Sequence, residues 1–254
     1  MLRTWSRKLG LLAVLLLAIF TFSVNRIGHA QKSVWTANLQ NRQNIVKDKT
    51  VARLTFPTDF KLFDLNFAPL KSQLFSIVGD NARGRSTVIS LPNADGAIEE
   101  FEVYEDSNFE PDLQAQFPEI RAYSGRGVTD RNATLKLSIS PDGIQTMVFR
   151  TDTENEFMEP YSHDHHTYAV YRGHRQKGEL PWECSTEDRA AVADAHTKGV
   201  SVAQPENSDG KVRTVRLAQS CNGEYANFFG ATSSAQVANV LTAFNNTIAR
   251  VNGV

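Results

Sequence analysis

Two pairs of alternating apolar and polar segments most constrain what this chain can fold into. Thr87–Leu91 and Ile98–Tyr104 form the first pair, and Leu135–Ile139 and Ile144–Phe149 form the second. Each pair is joined by a short stretch that contains Pro, Asp and Gly. Turn-forming residues between alternating segments are typical of β-hairpins. The middle of the chain is therefore predicted to contain at least two hairpins.

The second hairpin also predicts how the sheet is covered. Leu135, Leu137 and Ile139 alternate with Lys136 and Ser138. Successive side chains of a strand point to opposite faces, so one face should be apolar and the other should face water. This pattern favours an antiparallel sheet that is covered on one side.

Other segments extend this pattern into a β-rich domain over residues 31–172. A short helix is predicted after Asn66, with Pro69 in its first turn and Leu70, Leu74 and Ile77 along one side. Residues 173–211 are rich in charged and small residues, with little apolar periodicity, and are interpreted as an exposed linker. Further strands are predicted at Val51–Phe56, Phe60–Asn66, Phe157–Glu159 and Thr167–Tyr171.

The last segment, residues 212–254, is predicted to be a strand followed by an amphipathic helix. The strand covers Val212–Ala218, and the helix runs from about Ser234 to Arg250. A strand and a helix cannot bury an apolar stripe alone, so we expect further polypeptide to cover it. The expected fold class is a mainly β domain with an antiparallel sheet, hairpins and one or two short helices, followed by a linker and a truncated α/β strand–helix unit. The stripe consists of Val237, Val240, Leu241, Phe244, Ile248 and Val251.

Residues 1–30 have the features of an export signal. Arg3, Arg7 and Lys8 precede an uncharged apolar segment, and small residues precede a cleavage site predicted between Ala30 and Gln31. An uncleaved membrane anchor is the alternative, but the apolar segment is shorter than the roughly 20 residues that span a bilayer. The sequence therefore predicts a secreted, extracellular protein without a membrane association after cleavage.

Charge excludes one class of partner. Removal of residues 1–30 leaves 23 Lys and Arg against 28 Asp and Glu. A mildly acidic chain without a basic stripe argues against nucleic-acid binding.

Few residues suggest chemistry. The histidines of His163-Asp164-His165-His166, with His174 nearby, are of the type that binds metals, but no carboxylate or Cys lies at a standard ligand spacing. A polar loop before a strand is the simpler interpretation. The carboxylates Glu99, Glu100, Glu102, Asp106 and Glu110 are interpreted as solvated faces rather than an acid/base pair. No catalytic, cofactor-binding or metal-binding residue is assigned, because no G-x-S-x-G, C-x-x-C, H-E-x-x-H or glycine-rich phosphate loop occurs.

Several segments, taken in their order along the chain, together resemble the N-terminal parts of exported bacterial reprolysin-like (adamalysin-type) zinc metallopeptidases. The matching stretches are residues 86–96, residues 117–127, and above all Arg216–Tyr225 with Asn246–Val254. The resemblance implies a signal peptide, a prosegment that assists folding and maintains latency, a cysteine-bearing linker, and the first strand and helix of the catalytic domain. Its zinc would be bound by an H-E-x-x-H-x-x-G-x-x-H stretch further along, with the Glu as general base. None of those positions exists here, so this chain alone should be inactive.

The two cysteines have two interpretations. Cys184 and Cys221 could form disulfides, with each other or with residues further along, since an exported chain can keep them oxidised. Alternatively, the thiolate of Cys184 could occupy the open position of a catalytic zinc and keep the enzyme latent.

Three functions remain open at this point. The first is the N-terminal part of a secreted zinc metalloendopeptidase precursor, whose partners would be its own catalytic domain and, for the whole enzyme, protein substrates. The maturation cut would then fall between Cys184 and Lys211, in exposed backbone. The second is a non-enzymatic secreted β-domain protein for binding or adhesion, with its C-terminal helix packed on its own sheet. The third is a small exported metal-binding protein that uses His163, His165 and His166.

Overall fold

The structure, a computed structural model, describes residues 34–52, 56–79, 84–173 and 216–253. Among the described residues, those from 34 to 173 and from 238 to 253 belong to one compact unit, and residues 216–237 belong to another. The cleavage site at Ala30 and Gln31, His174 and Cys184 lie outside the described residues.

Nine strands form one antiparallel sheet in the first unit, in the order β1-β2-β9-β8-β7-β6-β5-β4-β3. The strands are β1 (Trp35–Ala37), β2 (Lys61–Leu65), β3 (Thr87–Pro92), β4 (Ile98–Glu105), β5 (Arg121–Gly127), β6 (Thr134–Ser140), β7 (Gly143–Phe149), β8 (Glu156–Pro160) and β9 (Thr167–Arg172). The helices are α1 (Phe67–Phe75), α2 (Pro111–Gln116), α3 (Gly223–Phe228) and α4 (Val237–Val251), with short 3₁₀ turns at Arg42–Asn44 and Ser234–Gln236.

Both predicted hairpins are present. β3 pairs with β4, and β6 pairs with β7, in antiparallel register. Gly96 and Gly143 have φ values of +90° and +103°, which is the left-handed region that glycine adopts without a steric penalty. At Gly143 a Cβ atom would also lie 2.2 Å from the hydroxyl oxygen of Tyr168. The turn residues therefore fix both hairpins. The prediction of a mainly β fold with a C-terminal helix is confirmed.

The main core lies on one face of the sheet, here called the inner face. Leu135, Leu137 and Ile139 of β6 point into it, and α1 covers it with Leu70 and Leu74. Helix α1 begins after Asn66, as predicted, with Pro69 in its first turn, where the missing N–H costs no helical hydrogen bond.

The sheet curls so that its two edge strands approach each other. The indole N–H of Trp35 in β1 donates to the carbonyl of Ser90 in β3 at 2.8 Å. The side chain of Gln73 from α1 donates to the carbonyl of Val88 at 2.6 Å. Side chains thus satisfy backbone acceptors of β3 at the edge of the sheet.

The opposite face of the sheet, here called the outer face, is not left in water as the sequence predicted. Ser138 is buried, although it alternates with the core residues of β6. The prediction was wrong because α4 lies over this part of the sheet. Near β2 and β9, a smaller apolar cluster that includes Val51, Phe60 and Tyr161 covers the same face.

Two other strand predictions differ from the structure. Val51 and Ala52 lie in a turn, where Asp48 accepts hydrogen bonds from the backbone N–H and the hydroxyl of Thr50. Residues 53–55 are outside the described residues. Arg216–Ser220, the described part around the predicted strand 212–218, have no strand pairing, and residues 212–215 are not described.

Candidate functional site

The candidate site is the contact between α4 and the outer face of the sheet, here called the α4 docking face. Two neighbouring Asn residues in the interior of α4 are unusual, because Asn is a poor helix former that competes for backbone hydrogen bonds. Both use their side chains on the sheet. The docking face consists of Asn108, Arg121, Ser138, Phe157 and Glu159 on one side and Asn245, Asn246, Arg250 and Asn252 on the other.

Asn245 is the most fully engaged residue of the docking face. Its side chain is buried, with 2% of the residue exposed. The amide nitrogen donates to the carbonyl of Arg121 at 3.0 Å, and the amide oxygen accepts from the side chain of Asn108 at 2.9 Å. Asn252, two turns further along, donates to the side-chain oxygen of Asn108 at 3.0 Å. The loop residue Asn108 therefore binds one residue inside α4 and one residue directly after its end.

A second contact lies on β6. The hydroxyl of Ser138 donates to the side-chain oxygen of Asn246 at 2.6 Å. The helix end approaches the sheet closely, because a Cβ atom on Gly253 would lie 2.2 Å from a ring carbon of Phe149. A side chain at position 253 would therefore displace the ring of Phe149.

The third contact is ionic. Nη2 of Arg250 lies 3.6 Å from a carboxylate oxygen of Glu159, and the guanidinium lies 5.4 Å from the ring centre of Phe157. Glu159 is buried, and its other carboxylate oxygen accepts from the hydroxyl of Tyr171 at 2.9 Å. Nε and Nη2 of Arg250 are buried without a hydrogen-bond partner. The pair therefore attracts across the interface without forming a direct hydrogen bond.

The apolar stripe of α4 points away from the docking face. At 3.6 residues per turn, the stripe is centred roughly 130° round the helix from the residues that contact the sheet. Val240 is buried, whereas Leu241, Phe244 and Ile248 are half-buried. At its ends, Val237 and Val251 are 42% and 58% exposed. The sheet therefore holds α4 by its polar side.

A charged group beside the docking face supports its sheet side. Asp106 accepts hydrogen bonds from the hydroxyl of Ser124 and from the ammonium of Lys136. Burial works to raise the pKa of Asp106, but these two hydrogen bonds hold it below its usual value. The Asp106 carboxylate is therefore ionised at neutral pH.

The histidines predicted as an alternative metal site do not converge. His163 and His166 are exposed, and His165 is paired with Asp48 at 3.2 Å. Among the described residues, no group of three or more His, Cys, Asp or Glu side chains could hold a metal ion. The hydrogen bond that His165 makes to the Asp48 carboxylate raises the pKa of His165. Burial opposes ionisation of Asp48, yet its hydrogen bonds with His165 and Thr50 lower its pKa.

The predicted carboxylate run is divided between water and an ion-pair cluster. Glu100, Glu102, Asp106 and Glu110 are exposed, as expected for a solvated face. Glu99 instead lies 2.7 Å from the half-buried Arg150, which also contacts Glu156 at 2.8 Å and Asp130 at 3.1 Å. This cluster ties β4 to β8, and no acid/base pair is formed.

The described cysteine, Cys221, is exposed and forms no disulfide with another described residue. No helix in the described part of the chain has both the length and the apolar character needed to cross a bilayer.

Reasoning from sequence missed the docking face. Its only signal was the placement of Asn245 and Asn246 inside an otherwise apolar helical pattern. Asn245 is buried, so its side chain serves the fold.

Comparison of the chain with models of protein families, with curated proteins and with solved structures found no match.

Proposed function

We propose that this chain is the N-terminal part of a secreted zinc metalloendopeptidase precursor and that its β domain is the prosegment. The β domain would assist folding of the catalytic domain and keep it latent until it is cut away. In this proposal α4 is the first helix of the catalytic domain, as the resemblance of Asn246–Val254 implies. The sequence contains no H-E-x-x-H stretch, so the chain alone is expected to be inactive.

The observation that carries the proposal is the orientation of α4. A helix that belongs only to the β domain would be expected to turn its apolar side toward the sheet, since burial of apolar surface is the main source of packing energy. Here the sheet binds Asn245 and Asn246, and the ends of the apolar stripe, Val237 and Val251, are exposed. A helix held in this way presents its apolar side to a second core. This is the arrangement expected of a folding template.

In this proposal, the residues that would bind zinc lie outside the described part of the chain. The described residues offer no group of three side chains suited to zinc, so no step of metal chemistry is assigned to them. The described β domain contributes binding and orientation of α4.

The first test examines both the gene and the purified precursor protein. The reading frame after codon 254 should encode an H-E-x-x-H stretch. The purified precursor should hydrolyse peptides slowly, and limited proteolysis between Cys184 and Lys211 should raise that activity. Absence of the motif, or an unchanged rate after cleavage, would contradict the proposal.

A second test addresses the template role. V237S/V251S in the precursor should lower the yield of active peptidase, because it removes apolar surface that the catalytic core needs. L39S/V46S is the matched control, since Leu39 and Val46 are also exposed apolar residues but lie outside α4. Equal yields from the two double variants would argue against a template role.

A non-enzymatic secreted β-domain protein for binding or adhesion is the second candidate. The observation in its favour is that α4 packs on the sheet of its own chain, with Asn245 and Ala249 buried. This candidate predicts that the reading frame encodes no H-E-x-x-H stretch and that V237S/V251S leaves the secreted yield unchanged.

A further inference from the structure

We infer that Asn132 is an N-glycosylation site of the exported protein and that the folded chain does not accept a glycan at Asn245. N-linked glycans are attached to Asn in the sequence Asn-x-Ser/Thr, in which x is not Pro. The chain contains two such sequences, Asn132-Ala133-Thr134 and Asn245-Asn246-Thr247. The inference rests on the export that both candidate functions share, and not on peptidase chemistry.

The first sequence lies in the turn between β5 and β6 and is presented to water. Asn132 and Thr134 are exposed, whereas Ala133 between them is 1% exposed and anchors the turn in the core. The backbone N–H of Ala133 donates to the carbonyl of Asp130 at 3.1 Å, and that of Asn132 donates to the Asp130 side chain at 3.0 Å. Within the described part of the chain, no hydrogen bond uses the side-chain amide of Asn132. The two residues that a transferase recognises are therefore accessible together.

The second sequence is used by the fold. Asn245 is 2% exposed, and its amide nitrogen donates to the carbonyl of Arg121 at 3.0 Å. An N-linked sugar on this nitrogen would occupy the space where α4 contacts β5, because the glycan is bulky. A chain that carried a glycan at Asn245 could not place α4 on the sheet as the structure shows.

The residue two positions before each Asn also differs. Asp130 gives the first site the longer pattern Asp-x-Asn-x-Thr, whereas Ala243 occupies the corresponding position before Asn245. Bacterial periplasmic oligosaccharyltransferases require an acidic residue at this position, and those of the eukaryotic secretory route do not. Asn132 therefore fits both classes of transferase.

The co-reactant is a lipid-linked oligosaccharide diphosphate. The amide nitrogen Nδ2 of Asn132 forms a bond to the anomeric carbon of the first sugar, and the bond from that carbon to the lipid diphosphate breaks. The diphosphate leaves with the electron pair, and the amide nitrogen loses one of its two protons. The product is a neutral amide that retains one N–H and carries a hydrophilic group at the β5–β6 turn.

The experiment is secretion of residues 31–254 from a eukaryotic cell behind that host's own signal peptide. Peptide mass spectrometry before and after enzymatic release of N-glycans should find one glycan, at Asn132. N132Q and T134A should lose it completely, whereas T134S should keep it, because Ser also completes the acceptor sequence. The urea midpoints of N132Q and T134A should match that of the deglycosylated wild type, since both positions are exposed.

T247A is the matched variant for the second sequence. It removes the acceptor pattern but keeps Asn245 and its contacts, so its glycan content should equal that of the wild type. The inference is overturned if the secreted wild type carries no glycan at Asn132, or if T247A loses a glycan that the wild type carries at Asn245. Either result would leave the proposed function standing, and absence of an H-E-x-x-H stretch would leave the inference standing.

Discussion

Helices α1 and α4 lie on opposite faces of the same sheet and are held in different ways. Helix α1 inserts Leu70 and Leu74 into the main core, where both are essentially inaccessible to water. Helix α4 lies on the outer face through Asn245, Asn246 and Arg250, while the ends of its apolar stripe are exposed. The apolar side chains of α1 stabilise the fold, whereas the polar side chains of α4 determine where that helix lies on the sheet.

The two helices therefore have different roles in the same fold. Burial of apolar side chains makes α1 inseparable from the sheet, since removal of α1 would expose the core. The printed contacts of α4 with the sheet are hydrogen bonds and one ion pair, and each such hydrogen bond contributes only about 1 kcal/mol. Variants on each face should therefore have effects of different size and on different parts of the molecule.

The largest effect is expected on the inner face. L74A should lower the free energy of unfolding of residues 31–254 by about 2–5 kcal/mol, because it leaves a cavity under α1. Urea denaturation followed by circular dichroism measures this. L39A is the control, since Leu39 is 94% exposed and its loss should cost less than about 0.5 kcal/mol. Similar midpoints for the two variants would show that α1 does not contribute to the core as described.

A smaller and local effect is expected on the docking face. N245A should lower the free energy of α4 opening by about 1–3 kcal/mol, because the side chain of Asn108 and the carbonyl of Arg121 lose a partner. Exchange of α4 amides should accelerate while that of β6 is unchanged. If N245A instead destabilised the whole sheet as L74A does, the contrast between the two faces would fail.

The outer face also contains an interaction that depends on pH. The paired Asp48 and His165 hold the turn at residues 48–51 on the sheet, and Asp142 and Asp164 also face His165. The pKa of His165 is raised from 6.5, so its contribution to stability is full below about pH 6.5 and is lost as pH rises through the folded-state pKa. The pKa of Asp48 is lowered from 3.8, so its contribution is present above about pH 4 and is lost in stronger acid.

Stability should therefore fall between pH 6 and pH 9 by up to about 1 kcal/mol through this pair. H165N is the suitable comparison, because His165 has a φ of +55° and Asn tolerates this conformation. Urea midpoints at the two pH values should differ less for H165N than for the wild type. An equal difference would show that another group causes the pH dependence.

The smallest effect is expected on the stripe of α4. V237S/V251S should change the free energy of unfolding of this chain by less than about 0.5 kcal/mol, since both side chains are already partly in water. Denaturation curves that overlap with the wild type would confirm that the sheet does not use this side of α4. A loss comparable to that of N245A would mean that the sheet binds the apolar side after all.

The elements best predicted from sequence are those fixed by local chemistry. The turn residues at Gly96 and Gly143 determine both hairpins, and Pro69 with Leu70 and Leu74 marks α1. Strand β5 was not predicted, because two glycines and two arginines obscure its alternation. Gly125 is required there by packing, since a Cβ atom would lie 2.8 Å from a methyl group of Val103. Such a requirement depends on a neighbouring strand and has no signal within the segment.

The candidate site was not predictable for a related reason. A 3.6-residue period identifies the apolar side of α4, and the natural inference is that this side is buried. The sheet instead binds the other side through Asn245 and Asn246, whose partners Arg121, Asn108 and Ser138 are distant in sequence. Pairing between polar groups far apart in the chain follows from the folded register and not from any local pattern.

The position of Trp35 has a consequence for processing of the N-terminus. Its indole N–H donates to the carbonyl of Ser90 on the edge strand β3. Trp35 lies only a few residues after the predicted cleavage between Ala30 and Gln31. Proteolytic trimming beyond Trp35 would leave the carbonyl of Ser90 without this donor on an edge strand, which favours edge-to-edge association between molecules. Heterogeneous N-termini should thus coincide with oligomers or aggregates in a purified preparation.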